Sequence, residues 1–199
     1  HTTQGIPMSV ENGKLLWHLT ALENIESIFK NGLSCRKKLI SKSFVDIADT
    51  NILESRAKFG LENYIPFHFM QKTPFAGKVM KDNKDTEFIY ITLHRDFAKK
   101  NNFKIINKHP LCEDAKIYDY EEGMANINWK LIDCDDRDYS VHAIRESSMA
   151  ECIAIYESIP ANCFQNIYTS SEKTKSYIEN LKKEYKFEFY VNINSKLFV

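Results

Sequence analysis

A carboxylate set inside an apolar strand is the residue of this chain best suited to chemistry. Glu151 stands between Met149-Ala150 and Cys152-Ile153, where a charge is costly unless it is paired or faces a cleft. A carboxylate held on a strand can stabilise developing positive charge or take up a proton. The second group lies in Leu15-Leu16-Trp17-His18-Leu19-Thr20. There Leu15, Trp17 and Leu19 alternate with Leu16, His18 and Thr20, which predicts a strand with one dry face and one face carrying His-x-Thr. Arg56 is the third candidate, although on pattern alone it reads as a surface arginine. Structural roles compete with each: a satisfied core histidine for His18, an edge residue pointing to water for Glu151. Phosphate-binding Gly-rich loops, Gly-x-Gly-x-x-Gly and H-E-x-x-H patterns do not occur, which removes the commonest kinase-like, dehydrogenase and zinc-protease chemistries. His68, His94, His109 and His142 lack metal-ligand spacing to any Cys or carboxylate, so no metal site is expected.

Several elements must position these groups. After the His-x-Thr strand, Leu22, Ile25, Ile28 and Phe29 share one face of a short helix. Asn31-Gly32 then supplies a left-handed stop ahead of Leu33, so a backbone corner sits beside the strand. A basic patch, Arg36-Lys37-Lys38, leads into a loop and a short helix ending near Arg56. Strands are expected over 64–69, 88–93, 103–106, 149–156 and 187–193, with a shorter one at Ile167-Tyr168 and a helix starting at His94. Residues 107–148 read as polar and loop-rich. The clearest helix spans 172–186, with Tyr177, Ile178, Leu181 and Tyr185 inward and the pairs Lys175–Glu179 and Glu179–Lys183 on its charged face. Many short aromatic strands with few long helices indicate one α+β domain over 8–199. The opening His1-Thr2-Thr3-Gln4-Gly5-Ile6-Pro7 reads as a tag remnant ahead of Met8.

The composition agrees with a single folded domain: 199 residues, 43% hydrophobic and 13% aromatic. Twenty-seven Lys and Arg balance 27 Asp and Glu, so no global positive field draws the chain to nucleic acid, and any such contact must be local. The five cysteines are odd in number and show no C-x-x-C spacing, which points to a reducing cytoplasm rather than a disulfide framework. No apolar run approaches the ~18 residues of a membrane span.

In order and spacing, these pieces resemble the DarT family, the DNA ADP-ribosyltransferase toxins of DarT–DarG pairs. The resemblance is carried by Leu16-Trp17-His18-Leu19-Thr20 with Asn24-Ile25 and Gly32-Leu33, by Arg56 ahead of Tyr64-Ile65-Pro66-Phe67-His68-Phe69, and by Ala150-Glu151-Cys152-Ile153. It covers nearly all of 15–193. Lys108-His109-Pro110-Leu111, Tyr118 to Gly123 and Ile127-Asn128-Trp129 resemble a long loop of one subgroup.

The resemblance implies an ADP-ribosyltransferase fold, two packed and bent sheets with NAD as co-substrate in the cleft between them. It implies that His18 and Thr20 hold the nicotinamide-side ribose, that Asn24 and Gly32-Leu33 flank the adenosine end, and that Glu151 and Arg56 are catalytic. Tyr139, His142 and Arg145, in the loop before Glu151, would meet the acceptor, a thymine or guanine of single-stranded DNA. The family often carries Tyr-Phe and Arg-Ser-Pro where this chain has His68-Phe69 and Lys72-Thr73-Pro74, which leaves Lys72 as the basic residue of that segment. A toxin role implies a partner antitoxin with ADP-ribosyl hydrolase (macrodomain) activity; no membrane partner is expected, for want of a long apolar run. Two alternatives stand beside this: a transferase of the same fold acting on protein or RNA, and a non-catalytic module binding nucleotide or nucleic acid.

Overall fold

The computed structural model describes residues 9–39, 56–57, 60–134 and 136–199. The strands are β1 (Leu15–Ala21), β2 (Leu33–Ser34), β3 (Ile65–His68), β4 (Phe88–His94), β5 (Lys104–Ile106), β6 (Ile117–Asp119), β7 (Glu151–Ala154), β8 (Ser158–Ile159), β9 (Asn166–Thr169) and β10 (Tyr190–Ile193). The helices are α1 (Ile25–Asn31), α2 (Arg36–Leu39), α3 (Pro74–Asp82), α4 (Arg95–Lys100), α5 (Tyr120–Asn126), α6 (Trp129–Ile132), α7 (His142–Ser148) and α8 (Glu172–Tyr185).

Eight strands form one sheet in the order β10-β9-β4-β1-β3-β7-β5-β6, and β2 pairs with β8 in a second, two-stranded sheet. Only β9 and β10 run parallel among these pairs. The α+β expectation holds, with one large mixed sheet, continuous through the β1–β3 junction, where two packed sheets were expected. β1 matches β4 along its whole length, from Leu15 opposite His94 to Ala21 opposite Phe88. On its other side, β1 registers with β3 at the single pair Trp17 and His68. The halves β10-β9-β4-β1 and β3-β7-β5-β6 therefore meet along a narrow seam.

Alternation along β1 divides the core. Leu16 joins the main cluster with Phe67, Ile91, Phe103 and Ile167, all fully buried. Trp17 and Leu19 face a second cluster with Val79, Phe88 and Tyr90, where α3 packs. α3 starts cleanly because Thr73 caps it, its hydroxyl accepting from the Ala76 N–H, and Pro74 opens the first turn. Phe29 of α1 packs edge-on against Tyr185, Phe187 and Phe189, which fastens the cleft-side helix to the C-terminal part of the chain. Arg95 is buried at the start of α4 and donates to the carbonyls of Val10, Glu11, Leu15 and Phe69. Its guanidinium lies 5.1 Å from the Phe69 ring centroid, so a charge inside the fold is met by dipoles and an aromatic face.

Four expectations change. The segment 107–148 is not mainly loop: it holds β6, α5, α6 and α7. The expected helix after β1 is split into a 3-10 turn, Leu22–Asn24, and α1. On α8, Ile178 and Leu181 are buried, but Tyr177 is largely exposed because it lies off the stripe those two define. Glu179 pairs with Lys182 at 3.1 Å, one residue short of the expected Lys183. The expected tag remnant and the loop before Arg56 lie outside the described residues.

Candidate active site

Glu151 opens β7 and is held on both sides, opposite His68 of β3 and Ile106 of β5. That double pairing fixes its backbone, and its side chain is 2% exposed. Arg56, 95 residues earlier in the chain, meets it with both arms of its guanidinium: Nη1 donates to Oε2 at 2.7 Å and Nη2 to Oε1 at 3.0 Å. Such a fork-to-fork pair is the geometry that offsets the cost of taking a carboxylate out of water.

His18 extends from β1, and its Nδ1 lies 2.7 Å from the Pro66 carbonyl. A carbonyl only accepts, so Nδ1 carries the proton and Nε2 presents a lone pair. Burial lowers the His18 pKa, against the opposing pull of the Pro66 bond, and keeps the ring neutral. Two residues on, the Thr20 hydroxyl accepts from the Asn24 amide at 3.2 Å, tying the strand to the turn that follows.

The expected corner is present. Gly32 has φ of +84° and donates to the Ile28 carbonyl, ending α1. A Cβ at this position would stand 2.8 Å from the Ile159 carbonyl oxygen, so a side chain would push β2 off β8. With ψ at 165° the residue is not in the expected left-handed helical region but in a positive-φ conformation essentially open to glycine alone, and it sends the chain directly into Leu33 and its pairing with Ile159.

His18, Thr20, Asn24, Gly32, Leu33, Arg56 and Glu151 all line one cleft. The structure thus brings the seven residues expected for its wall into one place. Two further histidines, not singled out for the cleft, share it: His68 and His109. Burial holds the His68 imidazole down at about 4, with Glu151 pulling it up and Arg56 pushing it down. Burial also lowers His109, whose Nδ1 accepts from the Leu111 N–H at 3.0 Å. The alternation of β3 could have found His68, since Ile65 and Phe67 are buried and Pro66 and His68 face the cleft. His109 sits in a loop and leaves no periodic signal.

The four expected acceptor-side residues do not line that cleft. Tyr139 and Lys72 are nevertheless brought together, because the Tyr139 hydroxyl donates to the Lys72 carbonyl at 2.9 Å. Lys72 adopts φ of +53°, and its N–H donates to the Tyr90 hydroxyl, so the corner after β3 is held from two directions. His142 and Arg145 are on α7 rather than in a loop. His142 opens that helix and lies 3.1 Å from Glu146 one turn on, and Arg145 is exposed. Among the described residues no group of three or more His, Cys, Asp or Glu is arranged to hold a metal ion.

Comparison with known proteins gives a consistent picture. Residues 17–199 match the family model "ssDNA thymidine ADP-ribosyltransferase, DarT". The chain is 23% identical over 187 residues to a DNA ADP-ribosyl transferase of Escherichia coli O127:H6, covering 83% of this chain and 84% of that one. Its fold is similar to DarT of Thermus sp. 2.9 in complex with ADP-ribosylated ssDNA, with a TM-score of 0.80, 19% identity, and coverage of 94% and 96% of the two chains. The NAD+ complex of the same protein gives a TM-score of 0.75 at 17% identity, with coverage of 94% and 98%. Thermosipho africanus DarTG in complex with ADP-ribose matches with a TM-score of 0.73 at 19% identity, over 94% of this chain and 51% of that longer one.

Proposed function

The chain belongs to the DarT family of single-stranded-DNA ADP-ribosyltransferases, and on that premise we propose how its own residues perform the transfer. The reaction breaks the bond between nicotinamide and ribose in NAD; the bonding electrons leave with nicotinamide, and a ring nitrogen of a DNA base attacks the ribose carbon and gives up its proton. Positive charge develops on the sugar as it does in glycoside cleavage.

Glu151 is the carboxylate that answers this charge, and its rigid place between β3 and β5 supports that role, since preorganised charge is worth most in a water-poor site. It also accepts the proton of the attacking base. Arg56 cannot serve as an ordinary base, because guanidinium stays protonated. Its fork orients Glu151 and reads an oxygen-bearing edge of a bound substrate. His18 and Thr20 position ribose hydroxyls, the lone pair on His18 Nε2 suiting an O–H donor. Asn24 and the Gly32-Leu33 corner flank the adenosine end, where only a glycine admits so close a backbone. The donor set of the cleft fits NAD as a consumed co-substrate.

The acceptor is a base in single-stranded DNA, thymine by the family's own description. A base already out of a duplex enters a pocket without the few kcal/mol of unstacking. Tyr139, His142, Arg145 and Lys72 remain the candidates for guiding the strand, through ring stacking and local positive charge. The family's DarT–DarG pairing supports a toxin role with an antitoxin that bears an ADP-ribosyl hydrolase macrodomain. No helix of the described residues is long and apolar enough to cross a membrane. The free cysteines support action in a reducing cytoplasm.

The observation that carries the assignment of residues is the bidentate Arg56–Glu151 pair, lining one cleft with His18 and Thr20. Its test is to incubate the chain with NAD and mixed-sequence single-stranded DNA and weigh the oligonucleotide. We expect a gain of one ADP-ribose, reduced by at least ~100-fold in Glu151→Gln, the scale of losing one preorganised electrostatic group. Modification of RNA or peptide with DNA left unchanged would overturn the acceptor, and full activity of the variant would overturn the role of Glu151.

A further inference from the structure

Three histidines line the cleft, and their ring nitrogens are engaged differently. Nδ1 of His18 is committed to the Pro66 carbonyl, and Nδ1 of His109 to the Leu111 N–H. Nε2 of His68 is buried, yet among the described residues it has no hydrogen-bond partner. A buried polar atom left unpaired costs folding free energy, so each such case in a folded chain calls for a reason. Packing holds this ring in place: it lies on Phe75 with centroids 5.9 Å apart, and Phe75 itself lines the cleft.

Its position is informative. His68 is the residue of β3 that registers with Trp17 of β1 on one side and with Glu151 of β7 on the other. It therefore stands between the strand that carries His18 and Thr20 and the strand that carries Glu151. A neutral imidazole offers one donor or one lone pair, which suits a hydroxyl or a carboxamide better than a phosphate. In NAD both riboses carry hydroxyls, but the carboxamide belongs to the nicotinamide half, and the register of His68 with Glu151 sets its ring beside the carboxylate that answers the charge on that half's ribose.

Resting on the reading of this cleft as the NAD site, we propose that His68 is a further substrate-binding residue, its Nε2 hydrogen-bonding a hydroxyl or the carboxamide of the nicotinamide-riboside half of NAD beside Glu151. The unpaired nitrogen is then a feature retained for binding: it weakens the fold slightly and is satisfied by the substrate.

The test compares the wild-type chain with His68→Phe, which keeps the ring on Phe75 and removes both nitrogens, and with His68→Gln, which restores a polar group. NAD and AMP are titrated onto each by calorimetry, and the melting temperature of each chain alone is recorded. We expect His68→Phe to bind NAD about 10-fold more weakly, the worth of one hydrogen bond, and to bind AMP as the wild type does. It should raise KM for NAD while leaving KM for single-stranded DNA unchanged, and melt at or above the wild-type temperature. His68→Gln should recover much of the NAD affinity. Unchanged NAD affinity in His68→Phe, equal losses for NAD and AMP, a change confined to the KM for DNA, or a lower melting temperature that Gln does not correct would each overturn the proposal. Failure of the wild-type chain to bind NAD would remove the site reading itself and this proposal with it, a result distinct from all of those.

Discussion

Glu151 has two carboxylate oxygens, and Arg56 takes both. That one pair joins an apolar-strand carboxylate and an arginine that composition alone would leave on the surface. The residues of the cleft were legible where chemistry was out of keeping with its local pattern: a charge in an apolar run, a His-x-Thr on a strand, a Gly after a short helix. His109 was not, because a loop histidine contradicts nothing around it. Burial of the cleft histidines also has a consequence for stability. His68 ordinarily titrates at 6.5 and is held at about 4 in the fold, mainly by desolvation, and burial lowers His18 and His109 as well. Below pH 6.5 the unfolded chain takes up protons that the folded chain refuses. Stability is therefore fully present above that pH and drains away as pH falls toward 4, by about 3 kcal/mol for His68 alone. Urea melts between pH 7 and 4 should show this slope, and His68→Phe should flatten its share of it.

At the scale of elements, the strands with clear alternation were legible and the short pieces of 107–148 were not. β6 has three residues and α6 has four, too few to display a period of either two or 3.6. What determines such pieces is what they pack against, which only the folded chain reveals. α5 is an instance: Gly123 lies on Ile105 so closely that an added Cβ would stand 2.2 Å from the Ile105 Cβ. Gly77 on α3 meets nothing within 4 Å. The same substitution should thus have opposite signs on two helices. Gly123→Ala is expected to destabilise the chain by about 1–3 kcal/mol through overpacking, whereas Gly77→Ala should stabilise it by up to about 1 kcal/mol through helix propensity. Thermal or urea melts of the two variants check both.

The whole molecule carries as many basic as acidic residues, and that balance sets how it meets DNA. With no diffuse positive field to rely on, the strand is expected to be held by a few local contacts. Each phosphate neutralised on a single strand contributes about −0.7 to the slope of log affinity against log salt, so a slope of about −1 to −2 is expected, equivalent to roughly two phosphates. Measuring KM for single-stranded DNA over a salt series checks it, and a much steeper slope would mean that a basic surface elsewhere takes part. The overall arrangement was legible only in class. The α+β character followed from the strand count, but no pattern within a strand tells which neighbour it will pair with, so the strand order and the narrow junction of β1 with β3 came from the folded chain. That junction has a mechanical side. The sheet is laced along one edge of β1 by seven residue pairs and along the other by one, like a book with few stitches in its spine. One stitch is Trp17 with His68, and the His18–Pro66 bond draws the same seam together from the cleft side, so the two walls are joined where the chemistry is proposed to happen.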